Sequence, residues 1–293
     1  MAVLLLGLAV PPRTVGQNQM SGLVAELRFD GEVRNYANGR DSLLADSIQF
    51  TSDRFETAGH ALASPASGFV GSLSKDYLKN RRQWTWSAWI RSGAPDQLNQ
   101  VIYSEDAQGN TGAVGVSQGK VVLDTYNPDA PGWSRAIASA SLVPAQWYHL
   151  AITFDAPNGD IGDCRIYVDG RVEFSGGIPM IKRVDATGET HAFALGRNIG
   201  SVTSVQPSQE FVGAIDDVLI FERALTPAEI PALLTPSERL MAFTAIELEF
   251  FARTGVTYQL QWSSNLTVWE NEGPVVVGEN KPVIRFASAR RDA

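Results

Sequence analysis

The chain has 293 residues, enough for one large domain and a smaller one, and 44% of its residues are hydrophobic. Its 24 basic and 32 acidic residues give a net charge of −8 without a long basic cluster, which argues against nucleic acid as a partner. The single cysteine, Cys164, excludes an intrachain disulfide and a cysteine-based zinc site.

The chain opens with a short apolar run that ends at two prolines. Residues 2–10 are apolar, but they are too few to cross a bilayer of about 30 Å as a helix. Small residues follow at positions suited to cleavage. We therefore interpret residues 1–20 as a signal peptide or a disordered N-terminus. The signal-peptide interpretation predicts a secreted or cell-surface protein without a transmembrane segment.

After this segment, short β-rich runs alternate with turn residues, which is typical of an antiparallel sandwich. Alternation along one run predicts core positions for Trp84 and Trp86. Helical periodicity is confined to residues 227–234, with Thr226 as the expected N-cap and Glu229 as its capping-box partner. The sequence predicts an all-β, two-sheet antiparallel jelly roll with one short C-terminal helix. The clearest predicted strands are residues 84–91, 119–126, 147–154, 164–168 and 193–196.

Residues 211–230 are the most informative segment, because they join an apolar strand to the start of that helix. Apolar residues occupy both parities of the strand, so both faces are expected to be buried. By strict alternation, Val218 shares a face with Ala214, and Leu219 shares the opposite face with Ile215. Two adjacent carboxylates, Asp216 and Asp217, interrupt the apolar pattern. A carboxylate in such a strand must be ion-paired, hydrogen-bonded or bound to a metal.

This segment resembles the closing strand of laminin-G-like members of the concanavalin A-like lectin/glucanase superfamily. Other motifs of that family follow the expected order, with an opening strand and loop at residues 27–41 and a tryptophan-rich strand at residues 86–90. A hairpin of the family type occupies residues 147–154 and 165–170. The resemblance covers residues 22–234 and implies a jelly-roll domain there. The matching positions of the closing strand include Gly213, Ile215, Asp216, Asp217, Val218, Arg223, Ala224 and Leu225.

After a predicted linker at residues 235–241, the strand pattern begins again. The last part of the chain resembles a small all-β module found at the C-termini of secreted bacterial proteins. We assign this module to residues 242–293 and expect it to be truncated, because its usual final strand does not follow. The residues that carry the resemblance are Gly255, Tyr258, Leu260, Gln261, Ser263, Asn265, Leu266 and Trp269.

The family resemblance also implies a structural calcium ion between the opening loop and the closing strand. Calcium prefers carboxylate and carbonyl oxygen ligands. The implied ligands are Asp30, the carbonyl of Gly31, Asn35 and Asp216, with Asp217 as the fallback. The alternative is that Asp216 forms a salt bridge with Arg223 or Arg28, or accepts backbone hydrogen bonds.

Trp133 is the predicted centre of a ligand-binding surface. It stands in residues 127–135, a polar segment with two prolines that is expected to form a loop. Exposed aromatic rings are the usual platforms for the C–H faces of sugars. We predict that Trp133, Tyr126, Asn127 and Arg135 form the rim of a ligand site. The alternative is a tryptophan packed over a sheet edge.

Patterns for catalysis are weak in this chain. The carboxylate motifs of the superfamily's glucanases and the Gln-x-His pair of similar polysaccharide lyases do not occur, and the three histidines show no zinc pattern. We therefore expect a non-catalytic module that binds a polysaccharide or the glycan of a glycoprotein. Two alternatives remain: a divergent glycoside hydrolase or polysaccharide lyase, and an adhesion module that binds protein partners.

Overall fold

The computed structural model describes residues 21–37, 43–64, 69–105, 112–129, 132–182, 192–198, 210–234, 245–262 and 270–288. The chain divides into two compact units, Met1–Pro236 and Ser237–Ala293. The predicted signal segment, the predicted linker and residues 263–269 of the C-terminal motif lie outside the described residues. In the described part of the chain, no helix is long and apolar enough to span a membrane.

The first unit is a sandwich of two antiparallel sheets, as the sequence predicts. The strands of sheet A are β1 (Leu23–Leu27), β3 (Gln49–Thr51), β4 (Ala61–Ser64), β6 (Gln83–Ser92), β11 (Trp147–Asp155), β12 (Ile161–Val168), β13 (Arg171–Pro179) and β15 (Gly213–Phe221). Their order is β13-β12-β11-β6-β15-β4-β3, with β1 paired to β15. The strands of sheet B are β2 (Leu44–Asp46), β5 (Phe69–Ser72), β7 (Gln100–Glu105), β8 (Gly112–Ser117), β9 (Lys120–Asn127), β10 (Gly132–Ile137) and β14 (Phe193–Leu195). Their order is β10-β9-β8-β7-β14-β5-β2.

The main hydrophobic core lies between the two sheets. The predicted core positions are confirmed, because Trp84 and Trp86 on β6 are completely buried in it. Trp84 stacks on Phe154 of β11, with ring centroids 5.6 Å apart. Complete burial of a large apolar side chain stabilises the fold by about 1.5–3 kcal/mol. This core fixes the sheets, so the residues on their outer faces are held at defined positions.

Strand β15 runs through the middle of sheet A and pairs with β6, β4 and β1. Its register shifts between Asp216 and Leu219, where Asp217 adopts a φ of 47°. Ile215 and Val218 therefore both join the main core, while Leu219 packs in a second cluster with Phe221. The strict alternation predicted for this strand is wrong, because the bulge moves the following residues to the other face.

The predicted helix is a turn followed by a short 3₁₀ helix, Ile230–Leu233. The carboxylate of Glu229 accepts a hydrogen bond from the Thr226 N–H at 2.8 Å, as in a capping box. Pro231 has no N–H to donate to the carbonyl four residues earlier, so an α-helix cannot form across it. Glu229 also binds Arg223 bidentately, and this ion pair lowers the pKa of Glu229 to about 2.

The second unit contains two separate antiparallel strand pairs. Phe250 packs on Tyr258 within this unit, with ring centroids 5.1 Å apart. The all-β prediction is confirmed for the described residues, and the identity of the module stays a prediction. The pairs are β16 (Ala245–Ala252) with β19 (Lys281–Ser288), and β17 (Thr257–Trp262) with β18 (Glu270–Val277).

A fully buried carboxylate, that of Glu105 on β7, holds the segment that precedes β6. Backbone N–H groups of Tyr77, Leu78 and Lys79 donate to it at 2.7–2.8 Å, and the Tyr103 hydroxyl also donates. Burial raises the pKa of Glu105 to about 7, although these hydrogen bonds act in the opposite direction. Because all four neighbours are donors, position 105 requires a side chain whose terminal atoms accept.

We expect Glu105→Gln to lower the free energy of unfolding by about 2–3 kcal/mol, because its amide nitrogen would face hydrogen-bond donors. Urea denaturation followed by circular dichroism measures the change. The control is Glu173→Gln, at a more exposed carboxylate that accepts from Ser139, and it should stay within about 0.5 kcal/mol of the parent protein. Equal losses in the two variants would contradict the proposed role of Glu105.

Candidate functional site

A cleft of about 360 Å³ lies on the outer face of sheet B. Val114 on β8 and Leu123 on β9 point into the core, so the residues that alternate with them form the opposite face. Val101, Ala113 and Val122 line the floor of the cleft. The floor is therefore apolar and built from small or medium-sized side chains.

Gly115 lines the cleft at a point where strands β7 and β8 approach each other closely. It lies on β8 between Val101 of β7 and Val122 of β9. A Cβ atom at this position would lie 2.3 Å from the carbonyl oxygen of Gln100, so a larger residue would push β7 away. Glycine is required here by the close approach of two strands.

Trp133 forms one wall of the cleft. It lies on β10, the edge strand of sheet B, and its side chain is 55% exposed. Its cross-strand neighbour Tyr126 packs against it, with ring centroids 5.4 Å apart and ring planes inclined at 49°. The indole lies at a sheet edge, as the packing alternative expects, and it is also exposed, as a residue at the rim of a ligand site would be.

The segment 127–135 is not the continuous loop that its prolines and polar residues predict. Its second half belongs to β10, which pairs with β9 in regular register. Ala136 points into the core, so Trp133 and Arg135 share the outer face. The alternation of outward-facing and inward-facing residues from Trp133 to Ala136 is the sequence signal for strand β10. The polar residues of this segment made that signal hard to recognise.

Arg135 and Asp124 form a planar ion pair beside Trp133. Arg135 donates from Nε to Asp124 Oδ1 at 2.6 Å and from Nη2 to Asp124 Oδ2 at 2.7 Å. The same Nη2 reaches the side-chain oxygen of Asn99 at 3.1 Å. These bonds with Asp124 raise the pKa of Arg135 further above its ordinary value. Arg135 and Asp124 are directly opposite each other on β10 and β9, so the geometry of the sheet holds the guanidinium and the carboxylate at the cleft.

The predicted rim residues occupy three different environments. Trp133 and Arg135 line the cleft, and Tyr126 supports Trp133. Asn127 is completely buried, and its side-chain oxygen accepts a hydrogen bond from the Asp129 N–H. Asp124, Asn99 and Gly115 are cleft residues that the sequence analysis did not identify.

The adjacent carboxylates of β15 are paired with an arginine from the loop between β3 and β4. Arg54 Nη1 lies 3.1 Å from Asp216 Oδ2 and 2.8 Å from Asp217 Oδ2. Asp216 Oδ1 accepts a hydrogen bond from the Asp217 N–H at 2.8 Å. Asp216 therefore forms a salt bridge, as one alternative expects, but its partner is Arg54 and not Arg223 or Arg28.

Arg54 is held between two aromatic rings on the outer face of sheet A. Its guanidinium carbon lies 4.6 Å from the ring centroid of Phe55 and 4.7 Å from that of Trp89. Asp53 shapes the preceding turn, because its carboxylate accepts the N–H groups of Phe55 and Thr57 at 2.8 Å. The loop therefore presents the arginine in one orientation, and cation–π contacts support it.

The remaining residues of the predicted calcium site are also engaged by protein groups. The side-chain oxygen of Asn35 accepts the N–H groups of Glu26 and Ala37, both at 3.0 Å. Asp30 Oδ1 lies 2.8 Å from Nδ1 of His60. Among the described residues, no cluster of three or more His, Cys, Asp or Glu is arranged to hold a metal ion. A calcium ion fits this arrangement poorly, and the predicted site, including the Gly31 carbonyl, stays a prediction.

His149 next to this cluster is a structural residue, as its surroundings show. It is buried, and its Nε2 lies 2.8 Å from the hydroxyl of Ser87. Burial and the nearby Arg54 charge lower the pKa of His149 to about 3, so the ring stays neutral. Its ring edge packs on Trp89 with centroids 5.3 Å apart. His149 and Ser87 are both buried, so neither side chain reaches the surface.

We expect Arg54→Met to lower the free energy of unfolding by about 2–4 kcal/mol at about pH 9, because it leaves the buried carboxylate of Asp216 and the partly exposed one of Asp217 without a counter-charge. Burial and the Asp217 charge raise the pKa of Asp216 to about 8, and Arg54 opposes this rise. Without Arg54 the pKa of Asp216 rises further, so above about pH 7 the native state of the variant binds more protons than that of the parent, and the loss grows as pH rises through this range. Urea denaturation at about pH 6 and about pH 9 measures it.

The matched control is Arg165→Met, which removes an arginine from the more exposed pair with Asp163. We expect a loss below about 1 kcal/mol at both pH values, since exposed pairs contribute little. A loss for Arg54→Met that is equally small, or that shrinks as pH rises, would contradict the role assigned to Arg54.

Calcium binding is tested by unfolding the protein in about 1 mM calcium and in EDTA. A site with a Kd near 10 μM would add about 2.7 kcal/mol under these conditions. Because Arg54 already pairs with Asp216 and Asp217, we expect the two midpoints to coincide. A calcium-dependent rise that Asp216→Asn abolishes would instead support the ion.

Solved structures similar to this chain include several binding domains. Domain 4 of AbnA, a GH43 extracellular arabinanase from Geobacillus stearothermophilus, in complex with arabinotriose, has a TM-score of 0.55 at 21% identity, covering 73% of this chain and 98% of that domain. The receptor binding domain of botulinum neurotoxin D has a TM-score of 0.54 at 14% identity, covering 73% of this chain and 52% of the other. The binding domain of Paraclostridial Mosquitocidal Protein 1 has a TM-score of 0.52 at 16% identity, covering 73% and 52%. This chain thus spans about half the length of the toxin domains.

These identities are low, so the similarities establish a common fold and leave the ligand open. A comparison with curated proteins finds no significant match. The family comparison matches residues 66–231, more than half of the chain, and includes β6, the β11–β12 hairpin and β15. The protein therefore belongs to the laminin-G family of the concanavalin A-like lectin/glucanase superfamily.

Proposed function

We propose that the protein binds carbohydrate in the cleft on sheet B and does not cleave it. The observation that carries this proposal is the half-exposed Trp133 beside the Arg135–Asp124 pair, above an apolar floor. A sugar ring has C–H faces that pack on an indole and hydroxyl groups that need donors and acceptors. The cleft supplies both requirements within one small volume.

The polar groups of the cleft are held in place before a ligand arrives. Cross-strand pairing orients Arg135 and Asp124, and Tyr126 limits the movement of Trp133. Such preorganisation reduces the entropy that binding would otherwise cost. Because these side chains stand on paired strands, less entropy is lost on binding than would be lost at a mobile loop.

The structural relatives support a binding role. The AbnA domain was solved with arabinotriose, and the study of botulinum neurotoxin type C describes interaction with two ganglioside molecules. Both ligands contain sugars, although those proteins share only 21% and 12% identity with this chain. The likeness supports carbohydrate as the ligand class, and the cleft residues of this chain carry the specific proposal.

Among the described residues that line the cleft, Asp124 is the single carboxylate, and Arg135 occupies both of its oxygens. Glycoside hydrolysis requires two carboxyl groups about 5–9.5 Å apart, one of them available to donate a proton. The segment Arg171-Val-Glu173 has the Arg-x-Glu spacing used by polysaccharide lyases of similar fold, but it lies on β13 of the other sheet. These observations favour binding over the hydrolase and lyase alternatives.

The adhesion alternative would place a protein partner on an exposed apolar surface. The exposed apolar side chains of the first unit include Phe55, Leu98 and Val172, which belong to different loops and strands. A cleft with an aromatic wall and a polar rim fits a sugar more closely than a flat partner. We also propose that the protein is secreted or displayed at the cell surface, on the basis of the apolar segment at residues 2–10.

We expect Trp133→Ala to weaken the binding of a neutral oligosaccharide by roughly thirtyfold, equivalent to about 2 kcal/mol, because it removes the stacking surface. A panel that includes arabinotriose, xylotriose, cellotriose and galactotriose is screened by calorimetry and by tryptophan fluorescence. Product release is assayed with the corresponding polysaccharides, with and without calcium. Binding without product release is the expected result.

Phe251→Ala is the matched control for this variant. Phe251 is 54% exposed, close to the value for Trp133, and belongs to the second unit. We expect its binding to equal that of the parent protein. If no member of the panel binds, or if Trp133→Ala binds as well as the parent, the cleft is not the binding site.

A further inference from the structure

The charge of the cleft is balanced within its own walls. Arg135 is the one cationic residue among the described residues of the lining, and Asp124 is the one anionic residue. Two hydrogen bonds, at 2.6 and 2.7 Å, join their planar groups edge to edge. The cleft therefore carries no net charge, in a chain whose formal net charge is −8.

This arrangement is unfavourable for an acidic sugar. A carboxylate or sulfate that approached Arg135 would also approach Asp124, so attraction to one group and repulsion from the other nearly cancel. It would then lose hydration without a compensating ion pair, which is costly in a partly enclosed site. The acidic net charge of the chain adds a long-range repulsion.

A neutral sugar meets the opposite situation. Its hydroxyl groups donate and accept, and the oxygens of Asp124 retain lone pairs beyond the two that Arg135 uses. Asn99, exposed at the rim, offers its amide nitrogen as a donor. The C–H face of such a sugar can pack on Trp133 or on the apolar floor formed by Val122.

We propose that the cleft selects neutral saccharides and rejects acidic ones, and that Asp124 sets this selectivity by neutralising Arg135. This inference rests on the proposed carbohydrate-binding function. With about 360 Å³, the cleft lies at the small end of the range of small-molecule sites, so it accommodates a short segment of a glycan.

The test compares two sugars that differ in charge. α-1,4-Linked galactotriose and trigalacturonic acid share ring configuration and linkage and differ by oxidation at C6, which adds a carboxylate to each unit. For the full chain at pH 7 and low salt, we expect trigalacturonic acid to bind at least about tenfold more weakly than galactotriose or the best neutral trisaccharide of the panel.

The decisive variant is Asp124→Asn, which keeps the shape of the side chain and leaves the charge of Arg135 unbalanced. We expect it to bind trigalacturonic acid about tenfold more tightly than the parent does, in a manner that weakens with added salt. The control is Asp163→Asn on sheet A, which breaks a surface ion pair in which Arg165 Nη2 lies 2.6 Å from Asp163 Oδ2. It should leave both sugars unchanged.

The outcomes separate the two proposals. Trp133-dependent binding of trigalacturonic acid that equals or exceeds neutral binding overturns the selectivity and leaves the carbohydrate-binding cleft intact. Unchanged acidic-sugar binding in a folded Asp124→Asn variant overturns the role of Asp124. If no sugar binds in a Trp133-dependent manner, the proposed function itself fails. Should Asp124→Asn not fold, the parent comparison of the two trisaccharides still decides the selectivity.

Discussion

The structure depends on a charged cluster in the middle of a hydrophobic sheet. Two adjacent carboxylates on β15 are stable there because Arg54 reaches both of them and is itself enclosed by Phe55 and Trp89. The bulge at Asp217 lets neighbouring residues in the chain point to the same cation. It also returns the strand to the core, so that β15 can join β1, β4 and β6 into one sheet.

The two outer faces of the sandwich are consequently different in kind. On sheet A, the arginine, its carboxylates and the aromatic rings contact one another, which leaves little for a ligand to replace. On sheet B, the small residues Ala113 and Gly115 line the cleft, and the edge strand β10 contributes Trp133 to it. The core that both faces share holds the outward-facing side chains of each sheet at defined positions.

The sequence could predict those parts of the fold that follow from periodicity. Trp84 and Trp86 alternate along one strand, so their burial and the β class were accessible. The partnership of Arg54 with Asp216 was not, because it joins residues far apart in the chain and depends on a bulge. At the candidate site, the sequence of residues 127–135 did not reveal strand β10, because its formation depends on pairing with β9. Trp133 and Arg135 were identified by residue type, and Asp124 became visible only as a cross-strand partner.

The selectivity proposed for the cleft depends on one cross-strand ion pair, between Asp124 and Arg135. The sandwich core places constraints on inward-facing residues, whereas Asp124 and Arg135 face outward on a sheet whose pairing does not depend on their charges. Selectivity at such a surface is then a property of two or three side chains that can change while the fold stays the same.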